Sequence, residues 1–91
     1  MLGNKTKRIG RFEYSLSTKK NKKLQTLVEG KVIHFGDSRY EHFKDKTGLL
    51  PKKLNHLDKK RRENYLKRTD NKYGLDPKSA NYHSRRILWD F

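Results

Sequence analysis

Polar and apolar residues alternate along Arg11-Phe12-Glu13-Tyr14-Ser15-Leu16, the period of two that marks a half-buried strand. A lysine-rich connection over residues 17–23 leads to two further runs, residues 24–28 and 31–35, which flank Glu29-Gly30. A two-residue link whose glycine accepts positive φ predicts a β-hairpin, with Leu27, Val32, Ile33 and Phe35 as core candidates. Gly36-Asp37-Ser38 predicts a turn. Residues 39–45 are ambiguous, because Tyr40 and Phe43 are spaced for one helical turn. Residues 46–53, with Gly48 and Pro51, predict a loop.

The clearest helical signal opens at Asn55, whose side chain is placed to cap a first turn. Asp58, three residues on, completes a capping-box-like exchange and complements the positive helix end. Residues 57–68 contain neither Gly nor Pro; Leu57, Arg61 and Tyr65 share one face, extended by Leu54 and Arg68. A loop around Gly74 follows over residues 69–75. Asp76-Pro77 then reads as an N-cap before Pro at the first helical position. The last helix, over residues 77–89, would gather Ala80, Ser84, Ile87 and Leu88. The fold class expected is α+β, a small antiparallel β-sheet followed by two short helices. Residues 1–10 read as a flexible basic arm and residues 11–91 as a single small domain.

Composition sharpens this picture. The 91 residues carry 24 Lys and Arg against 10 Asp and Glu, a formal net charge of +14, with 31% hydrophobic and 37% charged residues. Average domains run about 45–50% apolar and about 25% charged, so this core is small and its stability alone marginal. No apolar run approaches the roughly 18 residues of a membrane span, and the first residues lead into no apolar signal region. Without Cys there is neither a disulfide scaffold nor a thiolate metal site. A closed enzyme active site, a cofactor, a small-molecule substrate and a membrane partner are therefore not expected. A net charge of magnitude about 2–8 keeps a small domain soluble; +14 exceeds that and points to an anionic partner.

The cations best placed for such a partner are Lys59, Lys60, Arg61 and Arg62, with Lys67 and Arg68 further along a helix that also carries Tyr65. Clustered cations beside an aromatic suit a nucleic-acid strand: the charges displace condensed counterions, and a ring can stack on a base. Arg85 and Arg86 form a second cluster, a candidate phosphate clamp, ahead of Ile87, Leu88 and Trp89, which read as closing the core. His34, His42, His56 and His83 show no metal-ligand spacing. His56 and Asp58 diverge from a helix start, so capping explains Asp58 better than a catalytic pair does.

Three blocks carry a resemblance: Gly30-Lys-Val-Ile-His-Phe-Gly36 with Tyr40-Glu-His-Phe43, His56-Leu-Asp-Lys-Lys-Arg-Arg-Glu-Asn-Tyr-Leu-Lys-Arg68, and Ser79-Ala-Asn-Tyr-His-Ser-Arg-Arg-Ile-Leu-Trp89. In order and spacing they resemble a family of short basic proteins of uncharacterised function from large DNA viruses and bacteriophages. The resemblance covers roughly residues 24–89. It implies a shared fold and a viral origin, and supplies no mechanism. The expected function is a non-enzymatic viral protein that binds nucleic acid, with DNA as the expected strand, by sequence-nonspecific phosphate contacts within or near the virion. The contacts would come from Lys59, Lys60, Arg61, Arg62, Arg68, Arg85 and Arg86. The alternative is a minor capsid or cement protein whose basic surface and arm dock onto capsid proteins.

Overall fold

A computed structural model describes residues 5–69 and 76–90. Strands β1 (Thr6–Ile9), β2 (Phe12–Leu16), β3 (Lys22–Val28) and β4 (Lys31–Asp37) form one antiparallel meander in the order β1-β2-β3-β4. Helices α1 (Lys59–Arg68) and α2 (Ala80–Leu88) follow, so the domain is α+β as the alternation and capping signals imply. Glu29 and Gly30 both take positive φ, 49° and 80°. That is the backbone twist a two-residue hairpin link needs to match its strands.

The register decides which side of the hairpin is interior. Tyr14 pairs with Thr26, Thr26 with Ile33, and Leu24 with Phe35. Directly opposed residues point to the same face, so these side chains line one surface, and α2 lays Ile87 and Leu88 upon it. Tyr14, Leu24, Phe35, Ile87 and Leu88 form the buried core, each no more than 2% exposed. Leu27 and Val32, expected in that core, are 61% and 46% exposed on the opposite face. The period of two puts Leu27 out of step with Leu24 and Val28, and only one of the two sets can face α2.

Other boundaries shift for equally local reasons. Residues 6–9, expected within a flexible arm, pair with β2 from Thr6↔Ser15 to Ile9↔Phe12; residues 1–4 lie outside those described, as do residues 70–75 of the expected loop. Asp58, and not Asn55, caps α1, its Oδ1 accepting from the amides of Lys60 (2.9 Å) and Arg61 (3.2 Å). Leu57 stands ahead of the helix with φ 57° and 59% exposure. Ser79 caps α2, accepting from the Asn81 amide, while Asp76 and Pro77 shape the turn before it. Residues 39–45 form no helix; His42 instead bridges to Asn55.

The C-terminal end of α2 is fastened by the rest of the chain. A helix leaves its last carbonyls without internal donors. Here the amides of Lys44 and Lys46 donate to the carbonyls of Leu88 and Ile87, both at 3.0 Å. Within the core, the Tyr14 hydroxyl bonds His83 Nδ1 at 2.9 Å, and His83 Nε2 donates to the Pro77 carbonyl at 2.6 Å. Burial pushes the Tyr14 hydroxyl up to about 12 and holds the His83 imidazole below its ordinary pKa. Both groups are therefore neutral near pH 7, as a fully buried hydrogen-bonded pair must be.

Gly36 sets how closely α2 approaches the sheet. Its φ is 78°, and a Cβ there would stand 2.8 Å from Leu88 Cδ1 and 3.1 Å from Lys23 Cβ. Gly36→Ala is expected to destabilise the protein by about 1–3 kcal/mol, from overpacking together with left-handed backbone strain. Gly30→Ala meets open space and should cost less. Urea denaturation of the two variants tests the ranking.

Candidate nucleic-acid interface

Helix α1 has no buried residue. Its sequence Lys59-Lys-Arg-Arg-Glu-Asn-Tyr-Leu-Lys-Arg68 leaves Lys59, Lys60, Arg61, Glu63, Asn64, Lys67 and Arg68 exposed. The first turn holds four cations and no acid. The helix dipole makes that end positive, so each cation there is unfavourable by about 0.3–1 kcal/mol, opposed by the Asp58 cap, by the Glu41 pair of Arg61 and by the carbonyl bonds of Arg62. Stability alone would not select Lys59 and Lys60.

The seven expected contact residues divide into two groups. Lys59 and Lys60 reach solvent, as does Arg68, whose guanidinium lies 5.4 Å from the Tyr65 ring centroid. Arg61 is exposed and donates to Glu41 at 3.0 Å. Arg86 is exposed and donates to the Tyr82 hydroxyl, over whose ring it also sits. The other two are structural. Arg62 is half-buried: Nε donates to the Trp89 carbonyl (2.9 Å), one terminal nitrogen to the Asp90 carbonyl (2.6 Å), and the guanidinium lies over Phe43. Arg85 is 3% exposed and reaches the Leu66 carbonyl at 3.5 Å. Of the residues expected to contact phosphates, Arg62 thus directs its donors to carbonyls inside the domain and Arg85 is buried beside the Leu66 carbonyl.

Beside α1 lies a cleft of about 630 Å³. Arg61, Asn64, Tyr65 and Arg68 of α1 line one wall, and Ala80, Asn81, Ser84 and Leu88 of α2 another. Both sets follow the 3.6-residue period, each a single helix stripe. The Tyr65 hydroxyl meets Ser84 Oγ at 2.8 Å where the stripes converge, and Tyr65 stacks on Trp89 with ring centroids 4.1 Å apart. Lys22, Lys23 and the turn carrying Asp37, Tyr40 and Glu41 also line it, with Phe35, Gly36 and Trp89. Trp89, expected as a core residue, is half-buried and packs at the core margin.

Under this cleft runs a chain of buried polar groups. Asn55 Oδ1 accepts from the Asp45 amide (3.0 Å) and from His42 Nε2 (2.7 Å). The backbone amide can only donate, so this atom is the carboxamide oxygen and His42 carries its proton on Nε2. Nδ1 is then the acceptor for Lys23 Nζ at 2.8 Å. Burial pushes Lys23 down to about 8, against the pull of Asp37, Asp45 and Glu41. Burial, reinforced by the Lys23 charge, pushes His42 down to about 4.

Sequence reasoning picked out Arg61 and Arg68 of the cleft but missed Lys22, Lys23, Tyr40 and Asn81. The adjacent lysines at the start of β3 and Tyr40 soon after Gly36 are visible in the sequence. Nothing in it brings them to α1. The four histidines serve separate bonds: His34 with Ser17, His42 with Lys23 and Asn55, His56 with the Asp58 amide, His83 with Tyr14 and Pro77. Among the described residues no three His, Asp or Glu side chains cluster as a metal site would need, and no helix is long and apolar enough to cross a membrane.

Acid should unfold this protein early. His42, His56 and His83 are all held below the ordinary imidazole value of 6.5. The unfolded chain then binds more protons as the pH falls through that range, so stability present above 6.5 is lost toward 4. His42 alone accounts for a loss on the order of 3 kcal/mol by about pH 4; a melting midpoint level across that interval would show His42 charged in the fold. Arg62→Ala should lower stability by about 1.5–3 kcal/mol through its lost charge-assisted bonds, whereas Arg61→Ala, removing an exposed pair, should cost under about 1 kcal/mol. Thermal melts of both variants check the division of the arginines. Comparison with known proteins returns no family model, no curated protein and no solved structure that matches the chain, and nothing in it links the chain to the viral family its motifs resemble.

Proposed function

We propose that this protein binds nucleic acid by its phosphate backbone, without base-sequence preference, through Lys59, Lys60, Arg61 and Arg68, with Arg86 on α2 adding charge. The observation that carries the reading is the first turn of α1. Four cations stand at the positive end of a helix dipole, and Lys59, Lys60 and Arg61 point into solvent. That placement is locally destabilising, and local rules are broken where function requires it. The charge arithmetic agrees. If each of the 10 acids neutralised one cation, 14 of the 24 cations would still need another counter-charge. The motif resemblance supports a setting within or near a virus particle, with DNA as the expected strand.

Affinity should fall linearly on a log–log plot against salt, with a slope near −0.9 per duplex phosphate neutralised; about six contacts lose on the order of a thousandfold between about 50 and 200 mM. Lys59→Ala combined with Lys60→Ala should make the slope about two units shallower and raise the melting midpoint slightly, because two cations unfavourable at the positive helix end are removed. A filter-binding titration showing no binding even at low salt overturns the proposal and turns attention to docking on capsid proteins.

A further inference from the structure

The cleft beside α1 differs from a flat cationic surface in having an exposed ring at its mouth. Tyr40 is 64% exposed and lines the cleft. Its position is set by a closed turn: the Tyr40 amide donates to the Asp37 carbonyl at 3.1 Å, and Asp37 clamps Arg39 through its backbone amide (2.9 Å), Nε (3.0 Å) and a terminal nitrogen (2.8 Å). Arg39 in turn lies 5.7 Å from the Tyr40 ring centroid.

The surrounding charges favour an anion. The acids of the lining are already engaged, Asp37 by Arg39 and Glu41 by Arg61. Lys22, Lys23 and Arg68 form no salt bridge among the described residues. Lys23 is a buried amine whose direct partner is a neutral imidazole, so no carboxylate bonds it directly, while Asp37, Asp45 and Glu41 act on it only through space. On the α2 wall Asn81 Nδ2 is committed to the Thr69 carbonyl at 2.9 Å and the buried Ser84 hydroxyl to Tyr65 at 2.8 Å, while the exposed Asn64 of α1 adds an amide of the kind that bonds base edges. A volume of about 630 Å³ lies within the roughly 300–1,000 Å³ of sites that enclose small organic groups.

We propose that the cleft takes one unpaired nucleotide, its base stacked on Tyr40 and its phosphate set among Lys22 and Arg68, so that the protein binds single strands in preference to duplex. This rests on the nucleic-acid reading above and names the form of strand it takes. In a duplex the bases are stacked inside and cannot reach Tyr40; in a single strand every base offers a face.

The test is fluorescence anisotropy with labelled oligothymidine, oligouridine and a hairpin duplex of matched phosphate count, using the full chain. Both unpaired strands should bind about tenfold tighter than the duplex, and Tyr40→Ala should lose about tenfold on them with the duplex unaffected, as one base–aromatic stack requires. Tyr40→Phe should restore the affinity. Because Tyr40 is exposed, an unchanged melting midpoint separates lost stacking from lost fold. Equal affinity for single strand and duplex, or a Tyr40→Ala variant that binds single strands normally, overturns this inference while leaving backbone binding in place. Absence of binding to all three probes removes both readings together.

Discussion

His83 of α2 lies fully buried against the sheet, accepting from the Tyr14 hydroxyl and donating to the Pro77 carbonyl, with Phe12, Tyr14, Phe35 and Tyr82 around its ring. A chain with 31% hydrophobic residues has too few aliphatic side chains to fill its interior. An imidazole held neutral by two hydrogen bonds fills it instead, contributing ring area and tying two layers together. The arrangement works only while both nitrogens are satisfied, since a buried polar group left unpaired costs about 1–3 kcal/mol. Strand β2, the turn at Pro77 and helix α2 are therefore held in mutual position by one residue. The five-residue apolar core then forms around that position.

The same solution recurs below the cleft. Asp45 closes the loop after Phe43 by accepting from the Thr47 and Leu50 amides and the Thr47 hydroxyl, and its own amide orients Asn55. Asn55 sets the His42 tautomer, and His42 supplies the acceptor for Lys23. Each group in the series is buried or half-buried. Hydrogen bonds thus do for residues 38–58 what an apolar layer does in a larger domain. The result is a long connection with little regular structure that still presents Tyr40 and Glu41 in fixed places.

The cleft follows from how α1 is attached. Helix α2 packs on β4, whereas α1 contributes no buried residue and joins the domain through side chains: Arg62 to the carbonyls of Trp89 and Asp90, Tyr65 to Ser84 and Trp89, and the Thr69 carbonyl to Asn81. Polar struts of this kind hold a helix at a distance that close apolar packing would abolish. The space left between the stripes is bordered by cations because α1 is almost entirely charged. Architecture and electrostatics of the candidate site thus share one origin, a helix too polar to be buried.

Much of this was legible along the chain. The strand at Phe12–Leu16, the hairpin around Glu29-Gly30, the capping role of Asp58 and both helices rest on periods and turn residues only a few positions apart, and local stereochemistry suffices to specify them. The excess of cations is likewise a property of composition. Tertiary structure decided which cations are available and where the core lies. Arg61 and Arg62 are neighbours of the same chemical type, yet one faces the cleft and the other is spent on Trp89 and Asp90, 27 and 28 residues away. Leu27 and Leu24 are equally apolar, and the side on which α2 lands chose between them. Lys23 and His42 meet across 19 residues, and Tyr40 borders the same cleft as Arg61, Asn64, Tyr65 and Arg68 of α1. Such choices depend on which distant groups occupy the space and satisfy the donors around each residue, and a pattern read over a few positions carries no record of them.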